Sequence, residues 1–343
     1  MICSKRIRIL CQMGLMGLIV VSLIPLVVKD VFADISTSGG SDRSEVLFVK
    51  NMQGNRMIED TNLYETIFKR KSIRDYDLTP LDGHTLAEVM AHTSALKPLY
   101  EGIKIEMKLV SEKDVKGLLR AKAPHYLVVF SETKDGYLTN VGFILQQMDL
   151  FFSANDIGSC WQGMPKPTEE ILNSSKLEFV ILLAFGKSKE KLHRESVSEF
   201  QRKPLGEITD VQGADKLLEP ARLAPSAMNR QQWFFTGNAS TIHAYRAKSS
   251  FLTAFIFEKM SKISIGIAIC HVWIAAKHFG KEVEFIRDKE AQNNPPSGHD
   301  YVITIKINTE HFNHRSADPS ISFTPGSPIC HPRSAHSYMA YQR

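Results

Sequence analysis

Arg70-Lys71-Ser72-Ile73-Arg74 sets three cations and a hydroxyl on one short stretch of chain. Guanidinium and ammonium groups form charge-assisted hydrogen bonds to phosphate, and Ser72 adds a neutral donor. Cations behind a helix also complement its negative dipole end, which accounts for one or two of them without a ligand. Far along the chain stands Pro225-Ser226-Ala227-Met228-Asn229-Arg230-Gln231-Gln232-Trp233. Its amides carry both donors and acceptors, which suits the edge of a flat heterocycle; alone, the stretch also reads as a capped turn. A third stretch, Ile157-Gly158-Ser159-Cys160-Trp161-Gln162-Gly163-Met164-Pro165, brackets polar groups between glycines. Such backbone admits close approach of N–H groups to a ligand, and equally makes an ordinary helix C-cap and turn. Arg202-Lys203, fixed just before Pro204, offers a further cationic pair to close over the same group.

The two main motifs fall in opposite halves of an apparent internal duplication. A shift of 122 residues places Gly158 on Gly280 and aligns Leu145, Leu150, Phe151, Phe152 and Ile157 with Ile267, Val272, Trp273, Ile274 and Phe279. So long a period is not a solenoid repeat. It fits two fused units, a covalent version of a two-fold dimer; two ordinary helix–Gly–strand units would give the same pattern. Where the first unit should repeat the amide motif it reads Thr93-Ser94-Ala95-Leu96-Lys97, and the second unit has no copy of the cationic motif. Two half-sites on two copies imply one composite site where the copies face each other.

The elements that must position these motifs are readable from periodicity. A helix is expected from Asn62 to about Arg70, on the pairs Leu63/Ile67 and Tyr64/Phe68 and a Glu65 that completes a capping box. A second should run from Thr79-Pro80-Leu81-Asp82 toward His92. Residues 103–110 alternate as a half-exposed strand; residues 126–130, 179–185, 233–236 and 301–307 read as further strands. Residues 142–155 and 263–279 are apolar on most faces and are expected to be central helices. Strict βαβ alternation is absent, so the expected class is α+β with mostly antiparallel sheets around central helices. Gly186-Lys187-Ser188 resembles the end of a phosphate loop, but position 181 is Ile where that loop requires Gly.

Composition limits the remaining possibilities. The net charge of +5 arises at the ends: residues 1–56 hold seven Lys/Arg against four Asp/Glu, and residues 312–343 hold three against one. The core of 57–311 is neutral, so no general nucleic-acid surface is expected. Cys3, Cys11, Cys160, Cys270 and Cys330 are scattered, which argues for a reducing compartment and against a disulfide framework. Residues 9–28 are almost wholly apolar behind Lys5, Arg6 and Arg8, as in a signal peptide or membrane anchor, with 34–54 a linker. By the positive-inside rule that arrangement puts the core on the far side of a membrane, against the reducing chemistry expected of it. The tail of 312–343 has a disordered composition.

The motifs, in this order, resemble the flavin-dependent nitroreductase family. Residues 63–74 are similar to its opening helix and Arg-Arg-Ser-x-Arg motif, and residues 224–233 to its Pro-Ser-x-x-Asn-Ser-Gln-Pro-Trp loop. The likeness covers about residues 60–310 and is strongest to the branch with two nitroreductase-like halves in one chain, here 57–190 and 191–311. It implies a pseudo-dimer that is monomeric as a chain, with one FMN site and NADH or NADPH as reductant. The electrons would pass through flavin N5, with no catalytic side chain named, to an electron-poor small molecule such as a nitroaromatic or quinone. Arg70, Lys71, Ser72 and Arg74 would hold the phosphate and ribityl chain. Pro225, Ser226, Met228, Asn229 and Gln231 would line the cofactor from the second half. Cys160, Trp161, Gln162 and Gly163 would approach the ring, and Arg202 and Lys203 would add a later cationic contact. Arg230 and Gln232 depart from the family's Ser and Pro. The resemblance also leaves a flavin-binding protein without nicotinamide turnover, and a membrane-anchored reductive dehalogenase-like relative. The expected location is a cytoplasmic core, tethered through residues 9–28 if these are retained.

Overall fold

A computed structural model describes residues 60–117, 120–248 and 254–309. The leader and linker of 1–56, the tail of 312–343 and Cys3, Cys11 and Cys330 lie outside the described residues. The elements run α1 (Asp60–Ile67), α2 (Gly83–Thr93), β1 (Ile105–Ser111), β2 (Val115–Lys116), β3 (His125–Ser131), α3 (Tyr137–Ala154), β4 (Gly158–Gln162), β5 (Lys166–Pro167), α4 (Glu169–Asn173) and β6 (Glu178–Gly186). They continue with α5 (Asp215–Leu223), β7 (Trp233–Asn238), β8 (Thr241–Ala247), α6 (Ala254–His278), β9 (Lys281–Ile286), α7 (Lys289–Asn293) and β10 (His299–Thr309).

Two four-stranded antiparallel sheets dominate, in the orders β1-β3-β6-β4 and β7-β8-β10-β9; β2 and β5 form a small ribbon. Both sheets follow one scheme. The first two strands are neighbours, a long helix intervenes, and the last strand returns between the second and the third. The fold is α+β, as expected, and each sheet's second and third strands in chain order are joined through a long helix, α3 or α6. All residues from Leu138 to Leu150 on α3 and from Ile263 to Val272 on α6 are buried. That is what helices apolar on all faces require. One stretch of α6, Phe257–His278, has a mean hydropathy of 1.3, enough to cross a membrane, yet 78% of the window is buried within the protein. It is a core helix.

The two helices meet at backbone distance. A Cβ on Gly142 would lie 2.1 Å from the carbonyl oxygen of Ile263, and one on Gly266 would lie 2.0 Å from that of Thr139. The contact is reciprocal: Gly266 follows Gly142 by the same 124 residues that separate Ile263 from Thr139. The helix ends agree. Asp156 (φ 57°) and Gly280 (φ 63°) each take the left-handed conformation just past their helix, and they too are 124 apart. The 122-residue shift pairs Gly158 with Gly280, whereas these contacts and turns lie 124 residues apart. An Asp tolerates the left-handed position that Gly fills just past α6. Gly158 serves another purpose: its Cβ would press on Ile73 at 3.0 Å. Nor do residues 158–162 form a helix cap and turn; they are the edge strand β4, paired to β6 from Gly158↔Gly186 to Gln162↔Leu182.

Replacing Gly142 or Gly266 by Ala should push the two helices apart. Overpacked cores lose about 1–3 kcal/mol, and sometimes more; here the obstacle is backbone rather than a movable side chain. Urea unfolding of each variant should show a lower midpoint, and an unchanged midpoint would contradict the close crossing.

Candidate functional site

The cationic motif leaves the end of α1 in an extended path along β4. The Arg70 N–H donates to the Thr66 carbonyl at 2.8 Å, and that of Ile73 to the Ser159 carbonyl at 2.9 Å, with Ser72 and Ser159 in a parallel bridge. Ile73 is fully buried and anchors the stretch, which leaves Lys71, Ser72 and Arg74 along a cleft of about 770 Å³. Arg70, Lys71, Ser72 and Arg74 line one wall; Pro225, Ser226, Met228 and Asn229 line the other. Arg194, Arg202, Glu190, Glu199 and Gln201 complete the rim.

Arg70 is not a free arm. It is 1% exposed, and its Nε lies 3.1 Å from Oδ2 of Asp149, a carboxylate with no exposed surface on α3. The same Asp149 accepts from the Ser159 hydroxyl at 2.6 Å and from Nε2 of Gln146 at 3.1 Å. Arg70 also reaches the Ser72 hydroxyl at 3.3 Å, so it aligns the motif's serine while it forms the back of the cleft. Lys71 pairs with Glu190 at 2.7 Å, and Glu190 also accepts from the Arg74 backbone N–H at 2.9 Å.

The opposite wall is a strained loop. Met228, Asn229 and Gln231 have φ of 52°, 56° and 49°, a region that costs a non-glycine residue on the order of 1–3 kcal/mol when fully strained and less for Asn. Side chains hold it there. The Ser226 hydroxyl accepts from Gln231 N at 3.0 Å, and Gln231 Oε1 accepts from Lys203 N at 2.7 Å. The Asn229 amide donates to the Gln201 carbonyl at 2.6 Å, while its oxygen accepts from Arg202 at 2.7 Å. Arg202 also donates to the terminal carbonyls of α5, Leu223 and Ala224, at 3.2–3.3 Å and 3.1 Å. Residues 201–203 and 229–231 are thus one hydrogen-bonded unit, with Met228 left 78% exposed at its tip.

Five cations face this cleft against two carboxylates. Burial, then Arg70, Arg194 and Arg222, pull the Arg202 pKa down to about 10. Burial and Arg70 likewise lower that of Arg194. The cations repel one another, so an anion placed among them relieves both burdens.

The other residues expected at the site are not part of the cleft lining. Burial pushes up the pKa of the Cys160 thiol, which makes it a core side chain rather than a reactive thiolate. Trp161 keeps its indole N–H buried without a partner. Gln162 accepts from the Ala121 N–H at 3.0 Å, and a Cβ on Gly163 would lie 3.0 Å from the Met260 sulfur. Lys203 and Gln231 support the second wall from behind. Arg194, Glu190, Glu199 and Gln201 were missed because the irregular segment after β6 carries no periodicity. Asp149 left a visible signal, a lone charge inside an apolar helix, which demands a buried partner.

The sequence model of the family described as "Putative TM nitroreductase" matches residues 62–276. The chain belongs to this nitroreductase family. Among solved structures it is similar to a "putative nitroreductase" of Thermotoga maritima, with 18% identity, a TM-score of 0.52, and coverage of 78% of this chain and 100% of that one. It also matches a nitroreductase family protein of Clostridium difficile 630, with 16% identity, a TM-score of 0.34, and coverage of 44% and 96%. A nitroreductase with bound FMN from Desulfitobacterium hafniense DCB-2 matches at 13% identity and a TM-score of 0.32, over 43% and 100%. A comparison with curated proteins finds no match.

Histidines shielded from water set a pH dependence of stability. Burial lowers the pKa of His92 and His125, and burial with nearby Arg70 and Arg202 brings that of His271 down to about 3 against the Pro220 hydrogen bond. The unfolded chain takes up these protons below about pH 6.5, whereas the native state takes them up only at lower pH, His271 at about 3. Their contribution to stability is therefore complete above pH 6.5 and is lost as the pH falls, by up to about 1.4 kcal/mol per unit for a fully excluded proton. The urea midpoint at pH 5.5 should lie below that at pH 7.5; an equal or higher value would contradict the neutral buried histidines.

Proposed function

We propose that this protein is an FMN-dependent oxidoreductase with one cofactor site per chain, built between two nitroreductase-like halves, residues 57–190 and 191–311. The observation that carries this reading is the convergence of residues 70–74 and 225–229 on one cation-rich cleft. The donor set fits the cofactor. Lys71, Arg74, Arg194 and Arg202 would hold its phosphate with the Ser72 hydroxyl, backed by Arg70, whose guanidinium is paired with Asp149. Ser226, Asn229 and the strained backbone of the second wall supply mixed donors and acceptors of the kind a ring edge needs. When bound, FMN supplies hydride and electron transfer from NADH or NADPH to an electron-poor acceptor such as a nitroaromatic or quinone. The protein binds, orients and shields; no side chain need act as a general base.

Several features support a single site in a fused pair. The shared strand order and the reciprocal helix contact relate the halves, yet among the described residues no helix corresponding to α1 precedes α5. At the 124-residue spacing, Asn140 and Gln147 stand where the other half has Ser264 and His271. The Asn140 oxygen accepts from the N–H groups of Leu99 and Tyr100, and Gln147 bonds both the N–H and the carbonyl of Lys97. That loop is pinned to α3 and offers no amides to a ligand. The electron donor and the free buried thiols of Cys160 and Cys270 favour a cytoplasmic core, acting as a monomer on small molecules and needing neither nucleic acid nor the leader.

Purified protein saturated with FMN and freed of excess should release one flavin per chain in acid. Its visible absorbance should bleach on anaerobic addition of NADH or NADPH. Two flavins, or none, would contradict the composite site. Binding without bleaching by either nucleotide would leave a flavin-binding protein in place of a reductase.

A further inference from the structure

Behind the cleft, a chain of buried polar groups joins its two walls. It begins at Arg70 and Asp149 and passes to Gln146, whose Nε2 lies 3.1 Å both from Asp149 Oδ2 and from Nε2 of His271 on α6. It ends where His271 Nδ1 meets the Pro220 carbonyl of α5 at 2.7 Å. Asp149, Gln146 and His271 have no exposed surface, and Arg70 has 1%. The hydrogen bonds fix the tautomer: a carbonyl only accepts, so Nδ1 carries the proton, and Nε2 is left to accept from the Gln146 amide. The imidazole is neutral and donates on one side while it accepts on the other.

This arrangement has no role in packing that an apolar side chain could not fill at lower desolvation cost. Its ends are the informative part. At one end Asp149 sets the guanidinium that backs the cationic wall; at the other, Pro220 belongs to the helix whose terminal carbonyls Arg202 holds and which runs directly into Pro225. The geometry points to Gln146 and His271 as positioning residues that hold Arg70, and through it Ser72, in register with the second wall at the phosphate end of the cleft. The Gln146 amide is shared between Asp149 and His271, so loss of the imidazole frees the amide to turn and removes a constraint on the carboxylate. This inference rests on the phosphate-clamp reading above.

Apoprotein titrated with FMN and with riboflavin, which lacks the phosphate, separates the two ideas. Wild-type protein should bind FMN more tightly than riboflavin; equal affinities would overturn the clamp reading itself, before any substitution is made. Given that preference, His271→Phe should reduce the ratio of FMN to riboflavin affinity about tenfold, the lower range for a displaced charge-assisted contact. A ratio equal to that of wild type would overturn the positioning role, even with a lower melting temperature, since a merely structural residue weakens both flavins alike. Should His271→Phe fail to fold, Gln146→Leu cuts the chain one link nearer Arg70, leaves the His271–Pro220 bond intact, and is read by the same ratio.

Discussion

Two helices buried on every side can cross at backbone distance only where neither presents a side chain to the other. Gly142 and Gly266 meet that condition, each facing a carbonyl of the opposite helix. The crossing fixes the separation and register of α3 and α6, and each wall of the cleft is tied to one of them. Asp149 on α3 holds Arg70 and hence the cationic wall. Ser264 on α6 accepts from the Ala227 N–H at 3.3 Å, and His271 on the same helix grips α5. Movement at the crossing would be passed to both walls, because cores of this density do not deform locally.

The Arg70–Asp149 pair is an expensive way to stabilise a fold. Taking both charges out of water costs several kcal/mol per ion, and their attraction returns this only when further hydrogen bonds complete the pair. Ser159 and Gln146 complete it for Asp149, whereas Arg70 remains short of an aligned partner at Nε. Similar tension marks the rest of the cleft, where cations crowd one another and three residues of a single loop sit at positive φ. Desolvation, repulsion and backbone strain accumulate around the cleft, and the anionic cofactor proposed above would relieve the repulsion.

Much of this was legible from residue types. The alternation of residues 103–110, the apolar runs at 142–155 and 263–279 and the amide cluster at 225–231 all correspond to elements or walls that the structure contains. Apolar periodicity reports burial, and burial is what these elements share. The failures have a physical pattern too. The repeat spacing was taken from a pair of glycines, Gly158 and Gly280, but the left-handed turn that Gly280 makes after its helix is made by Asp156 after the other. Residues 157–165 suggested a ligand-approaching turn or a helix cap, because β4 is a short edge strand whose partners on β6 lie 20 to 28 residues on, beyond local pattern. The burial of Arg70 against Asp149 left no local trace, because the two are remote in sequence. Arg194 packs its guanidinium over Phe200 at 4.0 Å and faces the cleft from an irregular segment, where side-chain direction is set by tertiary contacts alone.

The central claim is that two segments from opposite halves form one ligand site. Hydrogen exchange of the full chain with and without saturating FMN tests it directly, peptide by peptide. The account predicts that FMN slows exchange in both residues 68–76 and residues 224–232, with little change around residues 93–100. Protection confined to one of the two segments, or appearing equally at 93–100, would contradict a single composite site.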